Sequence, residues 1–165
     1  MAIAQSDFTK FRGKAYEGQI STIDICEVVS RRVETKMVPF GRAVIRGVGT
    51  RSCAPVTPTT TAAQIIGFTV RSMAAFSNSV PTNPPDYEVG YDIGQVASLL
   101  RRGPLFALCV DGASAGDTVT VITATGTSQG QLTTGGDGVE LKFVRWIDDV
   151  IAGEIGEIRV DGILA

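Results

Sequence analysis

The feature that most constrains the fold of this chain is a series of short runs in which apolar and polar residues alternate, cut at intervals by glycine. Side chains of a strand point to opposite faces in turn, so each run predicts a β-strand. In "RAVIRG", for example, Val44 lies on the face opposite to Ala43 and Ile45. The runs cover residues 42–47, 66–73, 94–100, 104–110, 117–125, 139–147 and 154–163. Their number and spacing predict an all-β fold, a single small β-barrel or a jelly-roll-like sandwich.

Three regions lack this clean alternation. Residues 20–35 fit both a strand and a helix, since Ile25, Val29 and Val33 also share one helical face, and we favour extended structure. Residues 1–18 have no clear period and are predicted to form an extended N-terminal arm, followed by a single β domain over 19–165. The Pro-rich stretch 77–90 predicts a long loop within that domain.

One short motif raises the question of catalysis. The letters around Ser114, "GASAG", match the GxSxG nucleophile elbow, which needs a base for its serine and a helix after it. The chain has no histidine, which excludes a Ser-His-Asp triad, and "DTVTVITAT" after the motif predicts a strand. A Ser-Lys dyad stays formally open, but none of the four lysines lies in a long apolar stretch. We therefore predict a turn here and no enzyme, and the similar "AGE" at 152–154 predicts a second such turn.

The sequence also predicts no metal and no cofactor. Carboxylates would have to supply the metal ligands, yet their spacing fits no EF-hand loop. The pair Asp148-Asp149 would point to opposite faces of a strand, and no Gly-rich phosphate loop is present. Three widely spaced cysteines suggest neither a disulfide framework nor a CxxC metal site.

Charge and hydropathy restrict the partners. A net charge of −2 offers no excess of positive charge for phosphates, so nucleic acid is not an expected partner. No apolar stretch is long enough for a membrane helix, and the opening residues are too polar for a secretory signal, so we expect no membrane association. Charged residues make up only 19% of the chain, which favours a surface partly covered by a protein partner.

Several segments, spread over nearly the whole chain, combine a Gly-Gln pair, a "PFG" turn into a small apolar strand, a Tyr-x-x-Gly strand start and two Ala-Gly-acid turns. They are Gly18-Gln19, Pro39-Phe40-Gly41, Tyr91 to Gly94, Ala115-Gly116-Asp117 and Ala152-Gly153-Glu154. A basic-Gly turn at Arg102-Gly103 adds to this set. In order and spacing the set resembles the structural cement, or capsid decoration, proteins of tailed bacteriophages.

The resemblance implies a non-enzymatic virion protein that is made in the host cytoplasm and binds the outer surface of the mature capsid. Its partner would be the major capsid protein, at contacts between subunits, and it would itself form a homo-oligomer, a dimer or a trimer. We expect the contacts to come from aromatic residues, the "PFG" turn and two arginine pairs. They are Phe8, Phe11, Arg31, Arg32, Pro39, Phe40, Tyr87, Tyr91, Arg101 and Arg102.

A second interpretation is a β module of a phage tail or baseplate that binds a glycan or a receptor. Aromatic faces bind sugars, and the chain offers Trp146 and the tyrosines near the Pro-rich loop. Core packing is the more usual role for a tryptophan within an alternating strand such as "LKFVRWI".

Overall fold

A computed structural model describes residues 15–22, 25–72, 89–136 and 138–162. The described part contains eleven β-strands and a single 3-10 turn at Ala62–Gln64, which confirms the predicted all-β class. The strands are β1 Glu27–Val33, β2 Val38–Pro39, β3 Ala43–Arg46, β4 Ser52–Pro55, β5 Ile65–Thr69, β6 Gly90–Tyr91, β7 Val96–Leu108, β8 Thr118–Val121, β9 Leu132–Thr133, β10 Val139–Trp146 and β11 Ile155–Val160. Within these residues, no helix has the length and apolar character needed to span a membrane.

Five strands close into a barrel, the first ring, in the order β1-β4-β3-β5-β7, with β7 pairing back to β1. The β1–β7 ladder is antiparallel and places Val29 opposite Leu99 and Arg32 opposite Val96. Small and medium apolar side chains fill the interior, among them Val33, Val44, Cys53, Ala97 and Leu99. Closure leaves no free strand edge within this ring.

A second ring uses the other half of β7. The order β7-β11-β10-β8-β9 continues the same sheet, and a parallel bridge between Cys109 and Leu132 connects its last strand back to the end of β7. The N–H of Val110 donates to the carbonyl of Leu132 at 2.9 Å across this bridge. Apolar side chains from both rings form one core cluster, in which Phe68 and Leu100 of the first ring meet Val121, Leu132 and Trp146 of the second.

The strand β7 is common to both rings. The sequence predicted two strands, 94–100 and 104–110, separated by a turn at Arg102-Gly103, and this prediction is wrong because the strand is continuous. Gly103 has a φ of +118°, and a Cβ at this position would lie 2.8 Å from the Sγ of Cys26. The glycine therefore lets the strand bend and lets Cys26 approach it, without ending the strand.

The other strand predictions agree with the structure in place and differ in length. The runs 42–47, 139–147 and 154–163 contain β3, β10 and β11, and 117–125 contains the shorter β8. The ambiguous stretch 20–35 contains β1, so the preference for extended structure is confirmed. The short β2, β4, β6 and β9 were not predicted, and of the two architectures proposed, the structure shows the closed barrel.

Candidate functional site

The GxSxG motif forms a tight turn between two strands. The N–H of Asp117 donates to the carbonyl of Ser114 at 3.0 Å, and the Asp117 carboxylate accepts the N–H of Ser114 at 2.8 Å. Gly116 has a φ of +94°, and β8 begins at Thr118 where the elbow motif needs a helix. The arrangement positions Ser114 as a turn residue, with the Asp117 carboxylate bound to its backbone N–H.

The second Ala-Gly-acid segment has the same geometry. The N–H of Glu154 donates to the carbonyl of Ile151 at 3.0 Å, Gly153 has a φ of +80°, and β11 starts at Ile155. Glycine adopts this left-handed conformation without the steric cost that other residues meet. Each segment is therefore a turn that leads directly into a strand, as the sequence predicted.

Two of the three cysteines, Cys53 and Cys109, are not placed as nucleophiles. Burial raises the pKa of the Cys53 thiol from 9.0 to about 11, an effect that the nearby guanidinium of Arg31 opposes. Burial also raises the pKa of the Cys109 thiol. Both thiols are therefore protonated at neutral pH, whereas the thiolate is the reactive form. In the four described ranges, His, Cys, Asp and Glu side chains form no group that could hold a metal ion.

Two of the predicted contact residues are core residues. Phe40 and Tyr91 are each only 2% exposed, and their rings meet edge to face with centroids 5.2 Å apart. The Tyr91 hydroxyl donates to the carbonyl of Val70 at 2.7 Å, so its polar end is also used inside the protein. This placement argues against surface contacts by Phe40 and Tyr91, because the long aromatic side chains close the end of the first ring.

The "PFG" turn instead anchors the segment that precedes β1. The guanidinium of Arg71 lies over the ring of Tyr16 at 4.8 Å and over the ring of Phe40 at 5.3 Å. Such cation–π contacts are favourable by about 0.5–1 kcal/mol at exposed sites. The N–H of Gly18 donates to the carbonyl of Phe106 at 2.8 Å. Residues 16–18, which the predicted arm over 1–18 included, are thus fixed to the body of the protein, and residues 1–14 lie outside the described residues.

The two arginine pairs lie at opposite ends of the β1–β7 ladder. Arg32 is opposite Val96, whereas Arg102 is opposite Glu27, five residues away along β1. Arg101 forms an ion pair with Glu27 at 3.0 Å, and Arg31 is half-buried near Cys53. The structure therefore does not bring the pairs together, and only Arg32 and Arg102 extend freely into solvent.

Of the remaining predicted contact residues, one lies in the described structure and three lie outside it. Pro39 is half-buried in β2, while Phe8, Phe11 and Tyr87 lie outside the described residues. Trp146 is fully buried in the core, so it presents no face to a sugar and does not support the glycan-binding interpretation.

The sequence reasoning missed a group of exposed apolar side chains. At the end of the first ring where β1 and β3 finish and β7 begins, Val48 is fully exposed, Ile93 is 63% exposed and Val96 is 64% exposed. Ile25 and Phe143 are exposed elsewhere, at 82% and 67%. Glycines on both sides of Val48 were the available signal, since they mark a loop tip that carries one apolar residue.

Comparison with known proteins identifies the family of this chain. The family profile described as "Structural cement protein (E217 gp24/Pam3 gp6)" matches residues 3–161. The chain belongs to the structural cement protein family. This membership confirms the predicted resemblance and indicates a structural role in a phage capsid. A search of curated protein sequences found no match.

One solved capsid structure shows the same fold at low sequence identity. A chain in the capsid of Myoviridae phage XM1 superposes on this cement-family protein with a TM-score of 0.67 at 18% identity, covering 90% of this chain and 91% of that chain. The head fiber gp8.5 N base of bacteriophage phi29 gives a TM-score of 0.44 at 14% identity, covering 86% of this chain and 99% of that chain. The first similarity shows a shared fold, and the second is too weak for a comparison of folds.

Proposed function

We propose that this protein is a cement protein that binds the outer surface of the mature capsid across contacts between major capsid protein subunits. The observation that carries the proposal is the family match over residues 3–161, nearly the whole chain. The fold supports it, since two fused rings with buried cores present strand ends and loops as rigid surfaces for a partner.

The physical reason for the role is selective binding. A shell under internal DNA pressure opens where its subunits meet, and a ligand that binds only the closed, expanded arrangement stabilises that arrangement by mass action. Ordinary contacts suffice when many copies act together, because a typical interface buries roughly 800 Å² per partner. No catalysis is required, in line with the turn geometry of Ser114 and the protonated thiols of Cys53 and Cys109.

Within this proposal the exposed predicted residues Arg32 and Arg102 contribute to contacts, and Arg31, Pro39 and Arg101 contribute through their exposed parts. Phe8, Phe11 and Tyr87 complete the set. Phe40 and Tyr91 support the surface from inside the barrel. A dimer or trimer would follow the local symmetry of the shell, as closed symmetry is usual for homo-oligomers.

The test is a phage that lacks the gene. Quantitative mass spectrometry of purified wild-type virions is expected to find hundreds of copies per particle, and antibody labelling of intact virions is expected to reach them. Particles without the protein are expected to release DNA at lower temperature and after milder osmotic shock. Complementation with the wild-type gene, and equally with a gene that carries Ser114→Ala, is expected to restore resistance to heating and to osmotic shock. A few copies per particle, or unchanged particle stability, would contradict the proposal.

A further inference from the structure

An arginine-lined groove lies at the end of the first ring that carries Val48. It has a volume of about 510 Å³, and three of its lining side chains are Arg31 of β1, Arg46 of β3 and Arg51 of the loop between β3 and β4. The other lining residues are uncharged, among them Thr50 and Gln64. The groove therefore contains three positive charges and no carboxylate in its wall.

The groove belongs to a basic segment of the chain, although Arg42 of that segment is buried, pairs with Glu17 and lines a different cavity together with Lys36. Residues 28–56 contain six basic side chains and one acidic side chain, a net charge of +5, although the whole chain carries −2. The rest of the chain therefore carries −7. A groove lined by three arginines on an acidic protein attracts a negative partner and orients it on approach.

The three arginines are not neutralised within the described residues. No carboxylate there forms an ion pair with Arg31, Arg46 or Arg51. Glu34, which is close by, directs its two carboxylate oxygens to backbone donors of the loop: Oε2 accepts the N–H of Val48 at 2.9 Å and Oε1 accepts the N–H of Gly49 at 3.1 Å. Glu34 thus holds the loop that carries Arg51.

Arg51 also occupies an unusual backbone conformation. Its φ is +57°, in the left-handed region that glycine and asparagine adopt far more readily than arginine. A glycine would suit this turn better, so the structure tolerates strain in order to keep a charged side chain beside the groove. An observed strain of this kind points to a function for the side chain.

The geometry points to a protein partner: we propose that the groove binds an acidic segment of a neighbouring capsid protein, with carboxylates paired to Arg46 and Arg51. This inference rests on the proposed function. Arginine suits carboxylates because its planar guanidinium donates two parallel hydrogen bonds. The fully exposed Val48 beside the groove adds an apolar contact, which a protein surface can cover and a free anion cannot.

The experiment measures binding of the full chain to capsids purified from phage that lack the gene. The test variant is Arg46→Gln with Arg51→Gly, which removes two charges and relieves the strained φ at position 51. The matched control is Lys142→Gln with Arg145→Gln, which removes two exposed charges from β10 in the second ring. Thermal unfolding of each protein and of the single variant Arg51→Gly establishes that folding is intact, and Arg51→Gly is expected to unfold no earlier than the wild type.

We expect the test variant to bind at least about tenfold more weakly at low salt and to depend less on salt concentration, with the control close to wild type. Equal binding by the wild type and the test variant would overturn the inference and leave the proposed function intact. Failure of the wild type to bind would instead overturn the proposed function. A change in the oligomeric state of the free test variant would show that the groove binds a second copy, and this too would overturn the inference.

Discussion

Gly18 and Gly41 pack against each other without space for a side chain: a Cβ on Gly18 would lie 2.9 Å from the backbone nitrogen of Gly41. Both glycines also have a positive φ, at +80° and +71°. The close approach brings the segment before β1 onto the "PFG" turn, where Arg71 holds both. This one contact explains why the pattern that resembles the cement family has glycine at both Gly18 and Gly41.

We expect Gly18→Ala to lower the free energy of unfolding by about 2 kcal/mol or more, because the new Cβ meets backbone and the φ is unfavourable. Urea unfolding followed by tryptophan fluorescence measures the change. The control is Gly116→Ala, where φ is +94° and nothing lies within 4 Å of the new Cβ. It is expected to cost only about 1 kcal/mol, the conformational part. Equal losses in both variants would contradict the packing explanation.

A second prediction concerns the turn at Ser114. Ser114→Ala is expected to change the free energy of unfolding by less than about 0.5 kcal/mol, as is usual for exposed positions whose side chains hold nothing together. Asp117→Ala is expected to cost about 1 kcal/mol, because it removes the carboxylate that accepts the N–H of Ser114 at 2.8 Å. A hydrolase activity in the purified protein that disappears in Ser114→Ala would contradict the structural role.

Trp146 provides a third prediction, since it is the only tryptophan of the chain and is fully buried. Its fluorescence is expected to shift to longer wavelength on unfolding. Trp146→Ala is expected to cost about 3–5 kcal/mol, as large core truncations do. Trp146→Phe is expected to cost clearly less, because Nε1 finds no acceptor among the described residues and phenylalanine buries no N–H. Phenylalanine also leaves a smaller cavity than alanine, so equal costs for the two variants would contradict this expectation.

The fourth prediction is a loss of stability in alkali that depends on Cys53. Its thiol pKa is raised by burial from 9.0 to about 11, so the folded protein keeps a proton that the unfolded chain releases above pH 9. The stabilisation is present in full below pH 9 and is lost as the pH rises through about 11. Chemical unfolding of the wild type and of Cys53→Ala from pH 8 to 11 measures it. A parallel decline in both proteins would assign the effect to other groups.

The fold class was predictable because alternation with a period of two is a local property of a strand. β10 shows both the rule and an exception: buried Leu141 stands between exposed Glu140 and Lys142, but a bulge after Leu141 shifts the alternation, so that Val144 is buried and Phe143 is exposed. β4 was missed because "SCAP" is short and contains proline and alanine, which strands do not favour, and its place in the barrel comes from pairing with β1 and β3.

Whether a given side chain lies on the surface or in the core was harder to predict from the sequence. Phe40 and Tyr91 stand among glycine and proline in the sequence, which suggested exposed loops, yet tertiary packing buries both. The groove was missed for a related reason: Arg46 and Arg51 lie on the β3–β4 hairpin, and only the parallel pairing of β1 with β4 brings Arg31 beside them. The excess of basic over acidic residues in 28–56 was the one signal for the groove that the sequence offered.

The continuity of β7 through Gly103 has a mechanical consequence for a capsid protein. The strand β7 belongs to both rings. Tension applied to the first ring therefore passes along the peptide backbone of β7 into the second ring. Sliding one ring past the other would require breaking the hydrogen bonds between β7 and β11, from Gly103–Val160 to Leu108–Ile155, together. The two rings are therefore joined both by the continuous backbone of β7 and by its ladder with β11.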